Sequence, residues 1–197
     1  MTNTEKIKLL FEERGAVITT ADAREAGISK NALGLLVASN AAERVSYGVY
    51  APPGTLIDKM FIIQRNMSKV IYSHETALFL HDLTDRDPIR YIVTIPTGYN
   101  SQRLKAENMK VYSIKKEFHR LGETLAPTIF GNNVVTYNPE RTICDCIRSR
   151  NQMDPEIVTN ALKRYVERRD RNLNLLMEYA SKFNVSNILR TYMEVLL

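Results

Sequence analysis

Apolar positions along the first third of the chain recur at helical spacing. Ile7, Leu10 and Phe11 fall at i, i+3 and i+4 within residues 4–14. That spacing predicts an amphipathic helix with Lys8, Glu12 and Glu13 outward and Gly15 as its stop. The tetrapeptide AVIT follows as a short extended piece. Thr19 or Thr20 is placed to cap a second short helix, ADAREA, by accepting a bond from an orphan backbone N–H. Gly27 ends that helix, where a left-handed backbone costs glycine little. Ser29 is the cap of a third helix running from residue 30 to about residue 38. Leu33, Leu36 and Val37 form its inward stripe, and Asn31, Gly34, Leu35 and Ala38 form the opposite face. Val45 and Val49 then bracket Ser46-Tyr47-Gly48, a three-residue loop with glycine where positive φ is needed. Pro52-Pro53-Gly54 terminates this short wing, because proline cannot donate to a ladder. A compact unit is expected to close by residue 57.

The pattern changes downstream. DKMFIIQRNMSKVIYS is a helix-like run, and Ser73 is placed to cap HETALFLHDL, in which Ala77, Leu78, Leu80 and His81 crowd one side. YIVTIP is the strongest strand: β-branched, aromatic and bounded by proline and glycine. MKVYSI and NVVTY are further strands. PERTICDCIRSR opens a helix with Pro139 at a permitted first-turn position. EIVTNALKRYVERR, NLNLLMEYASKF and VSNILRTYMEVL are amphipathic helices. Strands in the middle and helices at the end predict an α+β protein. In this reading a winged helix-turn-helix over residues 1–57 precedes a mixed α/β domain over residues 58–197 with a helical C-terminus.

Composition narrows the class. The 197 residues are 44% hydrophobic and 25% charged, ordinary for a globular chain of one large or two small domains. No apolar run is long enough to span a bilayer, and MTNTEKIKLLFEERG lacks the apolar core of a signal peptide. A cytoplasmic protein without membrane contact is expected. The net charge is +5, yet residues 1–58 hold six Lys or Arg against seven Asp or Glu. The positive excess therefore lies outside the first unit. Any contact of that unit with a polyanion must rest on local geometry rather than bulk charge.

Helix, short helix, glycine turn and helix is the helix-turn-helix order, although three short helices also pack a core without touching DNA. The hairpin that follows favours the DNA reading. Lys30 and Asn31 stand at the N-terminal end of the third helix, where recognition helices meet base edges. Asn reads adenine bidentately; Lys reads guanine or holds a phosphate. Ser29 and the helix N-terminus suit a phosphate, and Gly34 permits close approach. The wing offers Arg44, Ser46 and Tyr47, and Thr20 and Arg24 on the second helix complete the expected contact set. Leu35 and Ala38 read little besides thymine methyls, and the face has no arginine, so phosphates are expected to carry much of the affinity.

Elsewhere the chemistry is sparse. The run KRYVERRDRN carries Lys163, Arg164, Arg168, Arg169 and Arg171, either a solvated helix face or a second anion-binding surface. Cys144 and Cys146, spaced C-x-C with no histidine nearby, are expected as free thiols. HETALFLH differs from the zincin motif H-E-x-x-H, since Leu78 stands at the ligand position and His81 lies seven residues from His74. No metal is expected. Arg141, Asp145 and Arg148 share one helical face as an ion-pair cluster, with no nucleophile–base set beside them. Gly131-Asn132-Asn133 is a turn before a strand. No active site and no cofactor are expected.

TTADAREAGISKNALGLLVASNAAERVSYGVYAPPG, followed in order by SHETALFLHDL, YIVTIP, VVTYNPERTICDCI and ALKRYVERR…LLMEYASKF, resembles the AbiEi-type antitoxins. SHETAL and YNPERTICD in that order are the more specific part of the likeness. The resemblance implies an N-terminal DNA-binding domain and a C-terminal antitoxin domain. It implies a transcriptional autorepressor that binds inverted repeats upstream of its own operon. It also implies neutralisation of a nucleotidyltransferase-like toxin without a stable complex, in abortive infection against phage. No catalytic residues are carried over. Nothing resembles a dimerisation zipper, so a monomer in solution that binds DNA cooperatively is expected. Two rivals stand beside this reading. One is a protein-interaction adaptor that binds the toxin directly through the winged helix or the C-terminal domain. The other is an enzyme using Asp145 or His74.

Overall fold

The computed structural model describes residues 2–14 and 17–196. The chain divides into two compact units, Met1–Ile63 and Gln64–Leu197. It is a mixed α+β protein.

In the first unit, α1 (Asn3–Arg14) leads to β1 (Ile18–Thr19), α2 (Thr20–Glu25), α3 (Lys30–Ala38), β2 (Glu43–Ser46) and β3 (Val49–Ala51). The expected stop at Gly15 and the start of AVIT at Ala16 lie outside the described residues. Thr19, not Thr20, caps α2. Its hydroxyl accepts from Asp22 N–H at 3.2 Å, while the Asp22 carboxylate accepts from Thr19 N–H at 2.7 Å, a reciprocal capping box. Gly27, at φ +73°, makes the left-handed turn out of α2. Ser29 caps α3 by accepting from Ala32 N–H at 3.2 Å. Ile7, Leu10 and Phe11 pack with Ile18, Ala23, Ile28, Leu33 and Leu36 into one core. A second small core joins Val45, Val49 and Ala51 to Ile62 of α4 (Lys59–Asn66).

The three strands form an antiparallel sheet in the order β1-β3-β2. The hairpin connection is Tyr47-Gly48, two residues rather than the expected three, because Ser46 pairs with Val49. Gly48 supplies the positive φ, +70°. A register shift between Arg44 and Ser46 breaks the strand's alternation, so Val45 and Ser46 are both buried.

The second unit begins inside the expected helix-like run, which breaks in two. Helix α4 ends at Asn66, and the buried Val70-Ile71-Tyr72 segment supplies β4 (Ile71–Tyr72). The Gln64 carboxamide fastens this break. It donates to Val70 O at 2.9 Å and Val135 O at 2.8 Å, and accepts from Val135 N–H at 2.5 Å. There follow α5 (His74–Leu80), β5 (Ile92–Pro96), α6 (Gln102–Ala106), β6 (Lys110–Ile114), α7 (Lys116–His119), β7 (Glu123–Pro127) and β8 (Asn133–Tyr137). The strands make a five-stranded sheet in the order β6-β5-β4-β8-β7, parallel at β5–β6 and β4–β8 and antiparallel elsewhere. Strand β7 adds to the three strands read from the sequence as β4 does. The helical end consists of α8 (Pro139–Arg148), α9 (Pro155–Glu167), α10 (Leu173–Lys182) and α11 (Ser186–Leu196). Helix α8 is nearly engulfed, its apolar residues packed with Leu78, Leu162, Tyr165, Leu176 and Phe183. Among the described residues no helix is long and apolar enough to cross a membrane.

Candidate nucleic-acid interface

Helix α3 has two faces of opposite character. Leu33 and Leu36 are fully buried and Val37 half-buried, whereas Asn31, Gly34, Leu35 and Ala38 are exposed, as the spacing predicts. Lys30 and Ser29 are also exposed at its start. The Ser29 hydroxyl is already engaged as the cap, so a phosphate arriving there meets the neighbouring N–H groups and the partial positive charge of the helix end. Arg24 projects from the exposed side of α2. Arg24, Lys30 and Asn31 make no side-chain bond or ion pair with any described residue. The acids of α2 are engaged elsewhere: Arg14 pairs with Glu25 at 3.0 Å and with Asp22 at 3.4 Å.

Gly34 is an unusual choice here. A glycine inside a helix costs about 1 kcal/mol relative to alanine. A methyl group built at Gly34 meets no protein atom within 4 Å. The fold does not ask for glycine there; its effect is a low helix surface.

The hairpin is held beside this helix pair. Thr20 N–H and the Thr20 hydroxyl both donate to Gly48 O, at 2.8 and 3.2 Å. Thr20, an expected DNA contact, thus uses its hydroxyl to fix the hairpin tip. At that tip the Arg44 guanidinium lies over the half-exposed Tyr47 ring, 5.4 Å from its centroid, and Arg44 Nε donates to Ser46 O at 3.3 Å. Ser46 itself is 2% exposed. The bulge turns it inward and removes it from the expected contact surface. The whole unit is charge-neutral, because residues 1–63 hold seven Lys or Arg and seven Asp or Glu.

The second cationic run is largely engaged within its own unit. Arg164 forms a bidentate pair with Asp85, one bond of it at 2.9 Å. Arg168 pairs with Asp170 at 2.7 Å and donates to His81 O at 2.7 Å. Arg171 donates to Arg168 O at 2.8 Å. Lys163 and Arg169 are exposed without such bonds to described residues. The continuous basic surface read from KRYVERRDRN is therefore reduced: α9 ends at Glu167, and Arg164 and Arg168 are neutralised.

The residues that a catalytic reading needs lie in the interior. Asp145 and Arg141 are fully buried, joined at 2.9 Å, with Arg148 on the other carboxylate oxygen at 3.3 Å. Arg141 also donates to Phe118 O and Leu121 O, each at 3.0 Å, and its guanidinium sits between the rings of Tyr137 and Phe183. Burial pushes the Asp145 carboxyl up, against the pull of both arginines. His74 is fully buried, stacked on Tyr112 at 3.8 Å, with its ring nitrogens 3.0 Å from Ser73 Oγ and 3.1 Å from Ser149 Oγ. Burial and the nearby Arg148, Lys110 and Arg141 hold it well below its ordinary pKa, as a neutral ring. Ser73 does not act as a side-chain cap for α5; it accepts instead from the Thr94 hydroxyl at 2.8 Å. Cys144 and Cys146 are free, buried thiols; burial pushes Cys144 up to about 12. Among the described residues no group of three or more His, Cys, Asp or Glu is placed to hold a metal.

The contact set expected from sequence omitted Leu35, which stands 72% exposed in the middle of the outer face. The helical spacing had placed it on that face, beside Asn31, Gly34 and Ala38.

Comparison with known proteins finds a family match within the first unit. Residues 5–53 match the family model described as "Transcriptional regulator, AbiEi antitoxin". The chain as a whole is similar in fold to the crystal structure of the RV2827C protein from Mycobacterium tuberculosis. The two are 17% identical with a TM-score of 0.66, over 92% of this chain and 72% of that one. No curated protein matches the chain.

Proposed function

We propose that the protein is a DNA-binding autorepressor and the antitoxin of a toxin–antitoxin pair. The first unit acts as a winged helix-turn-helix. Helix α3 enters the major groove of inverted repeats upstream of the protein's own operon, and the β2–β3 hairpin meets the adjacent backbone or minor groove. The second unit serves in counteracting a nucleotidyltransferase-like toxin, without a stable complex, as part of an abortive-infection response to phage in the cytoplasm. The chain is a monomer in solution, binds cooperatively at paired repeats, and acts by binding rather than catalysis. One observation carries the DNA reading. Within the segment that matches a transcriptional regulator, α3 presents Lys30, Asn31 and Gly34 on a face that the core does not use. The burial of His74 and Asp145 supports the non-catalytic part.

A gel shift with duplex DNA from upstream of the protein's own coding sequence tests this reading. A single doubly occupied complex with little singly occupied intermediate is expected, weakening steeply with salt as phosphate contacts do. Absence of any shift at micromolar protein and low salt sinks it. Co-expression with the neighbouring gene product tests the antitoxin role, with restored growth as the expected result.

A second reading, direct binding of the toxin, has a specific observation in its favour. Leu125 on the sheet-edge strand β7, with Ile129 and Phe130 in the following turn, are exposed apolar residues of the second unit. Co-purification of the two proteins would favour it.

A further inference from the structure

The composition of the outer face of α3 is unusual for a helix surface left to water. Asn31, Gly34, Leu35 and Ala38 follow one another at i, i+3, i+4 and i+7, and only Asn31 has a side chain that forms hydrogen bonds. Solvent-facing helix surfaces are normally charged or polar. Here a low backbone surface at Gly34 is followed by the isobutyl group of Leu35, 72% exposed, and the methyl group of Ala38. Exposed cations without ion-pair partners among the described residues occur in the same unit: Arg24 on α2, Lys30 at the start of α3, and Arg44 on the hairpin.

We propose that this strip reads thymine methyl groups, so that the half-site under α3 is rich in A·T pairs. Asn31 takes an adenine edge, and Leu35, with Ala38 beside it, packs on the C5-methyl groups of neighbouring thymines. The inference rests on the DNA-binding reading above and adds its sequence preference. The chemistry of the groove supports it. The thymine methyl is the apolar group on the major-groove edge, whereas guanine and cytosine present only acceptors and donors there. An isobutyl group pressed on those polar atoms would leave them without partners, so the same residue that favours thymine disfavours G·C. Arginine, the commonest partner of guanine, does not occur on this face. The strip is only two apolar side chains long, far below the area that a stable protein interface buries, and the exposed Lys30 at the start of the same helix is complementary to phosphate.

The test uses the full-length protein and duplexes selected by it from a randomised DNA library. The tightest duplex is resynthesised with deoxyuridine replacing each thymidine in turn, which removes the methyl group and leaves base pairing intact. One or two positions per half-site should weaken binding about fourfold per methyl group, the factor that burial of one methylene carries. Leu35→Ala should bind thymidine and deoxyuridine duplexes equally, with unchanged thermal stability and unchanged salt dependence. Equal binding of both duplexes by the unsubstituted protein overturns the proposal, as does a selected half-site centred on G·C pairs. Undiminished affinity of Leu35→Ala for the thymidine duplex also overturns it and points to a protein as the occupant of the strip. If no duplex is enriched at all, it is the DNA-binding reading itself that fails, and this inference with it.

Discussion

Helix α3 in the first unit and helix α8 in the second both place polar residues on a face that sequence periodicity picks out, yet their side chains meet opposite fates. On α8, Arg141 and Asp145 are fully buried and bonded to each other, to Arg148 and to the carbonyls of Phe118 and Leu121. On α3, Lys30 and Asn31 stand in solvent with no side-chain partner among the described residues. The buried cluster is where a motif search looks first for chemistry, because charged residues gather there. Most of its polar atoms hold α8 to the α7–β7 connection, only Arg141 Nη2 and Asp145 Oδ1 lacking a hydrogen bond among the described residues, whereas the outer face of α3 is exposed to solvent. The difference teaches that partnering, not charge density, separates a structural polar site from a surface open to a partner.

The largest effect should come from breaking the α8 cluster. Arg141→Ala leaves the Asp145 carboxylate buried beside only one arginine and should cost about 3–5 kcal/mol in urea unfolding. Replacing the pair with Arg141→Met and Asp145→Leu together should recover only part of that loss, because the carbonyls of Phe118 and Leu121 stay without their donor. A cost below about 1 kcal/mol for Arg141→Ala would contradict a structural role.

On α3 and the hairpin the consequences should reverse. A Lys30→Ala, Asn31→Ala, Arg44→Ala triple variant should keep its stability within about 0.5 kcal/mol per site, as exposed substitutions do. Its affinity for operator DNA should fall about 100-fold or more, since one good base contact alone contributes about 1–3 kcal/mol. Full affinity in anisotropy titrations would end the groove reading.

Acid should act on the second unit, where all three histidines lie. His74, His81 and His119 are each lowered from their usual value of 6.5, chiefly by burial. The folded state therefore binds fewer protons than the unfolded one. Stability conferred by the neutral rings is complete above pH 6.5 and is lost as pH falls below it. Each histidine contributes up to about 1.4 kcal/mol per pH unit until its folded-state pKa is reached. The fully buried His74 should contribute most, so His74→Gln should flatten the pH profile of thermal unfolding between pH 6.5 and 5.

The smallest effect is also the sharpest on the comparison. Gly34→Ala should stabilise the first unit by about 0.5–1 kcal/mol in thermal unfolding. It should weaken DNA binding, because the added methyl projects only toward what docks there. Gains in both stability and affinity would show that the helix does not approach a surface at Gly34.

Local chemistry was legible in the sequence where it was self-contained. The faces of α3, the caps at Thr19 and Ser29, and the strand β5 each depend on residues within a few positions of one another. What escaped notice depends on distant partners or on breaks in regular spacing. Val70-Ile71-Tyr72 continues an apolar run out of α4, and periodicity cannot distinguish so short a buried strand from helix. ETLAP in β7 contains proline and alternates exposed residues, which obscures a strand at the sheet edge. Ser46 turns inward because of one bulge, and Arg164 finds Asp85 across 79 positions of sequence.

The two bonds from Thr20 to the single carbonyl of Gly48 bear on the timing and thermodynamics of any encounter with DNA. They clamp the hairpin tip to the start of α2, so on the proposed reading Arg44 and Tyr47 would already be in position when α3 docks. Ordering a loose hairpin would subtract from the binding free energy; a pre-set one does not. On that reading the two contacts would form and break nearly together, which would lengthen residence on a duplex and make the unit intolerant of any change in the spacing between the groove and the flanking backbone.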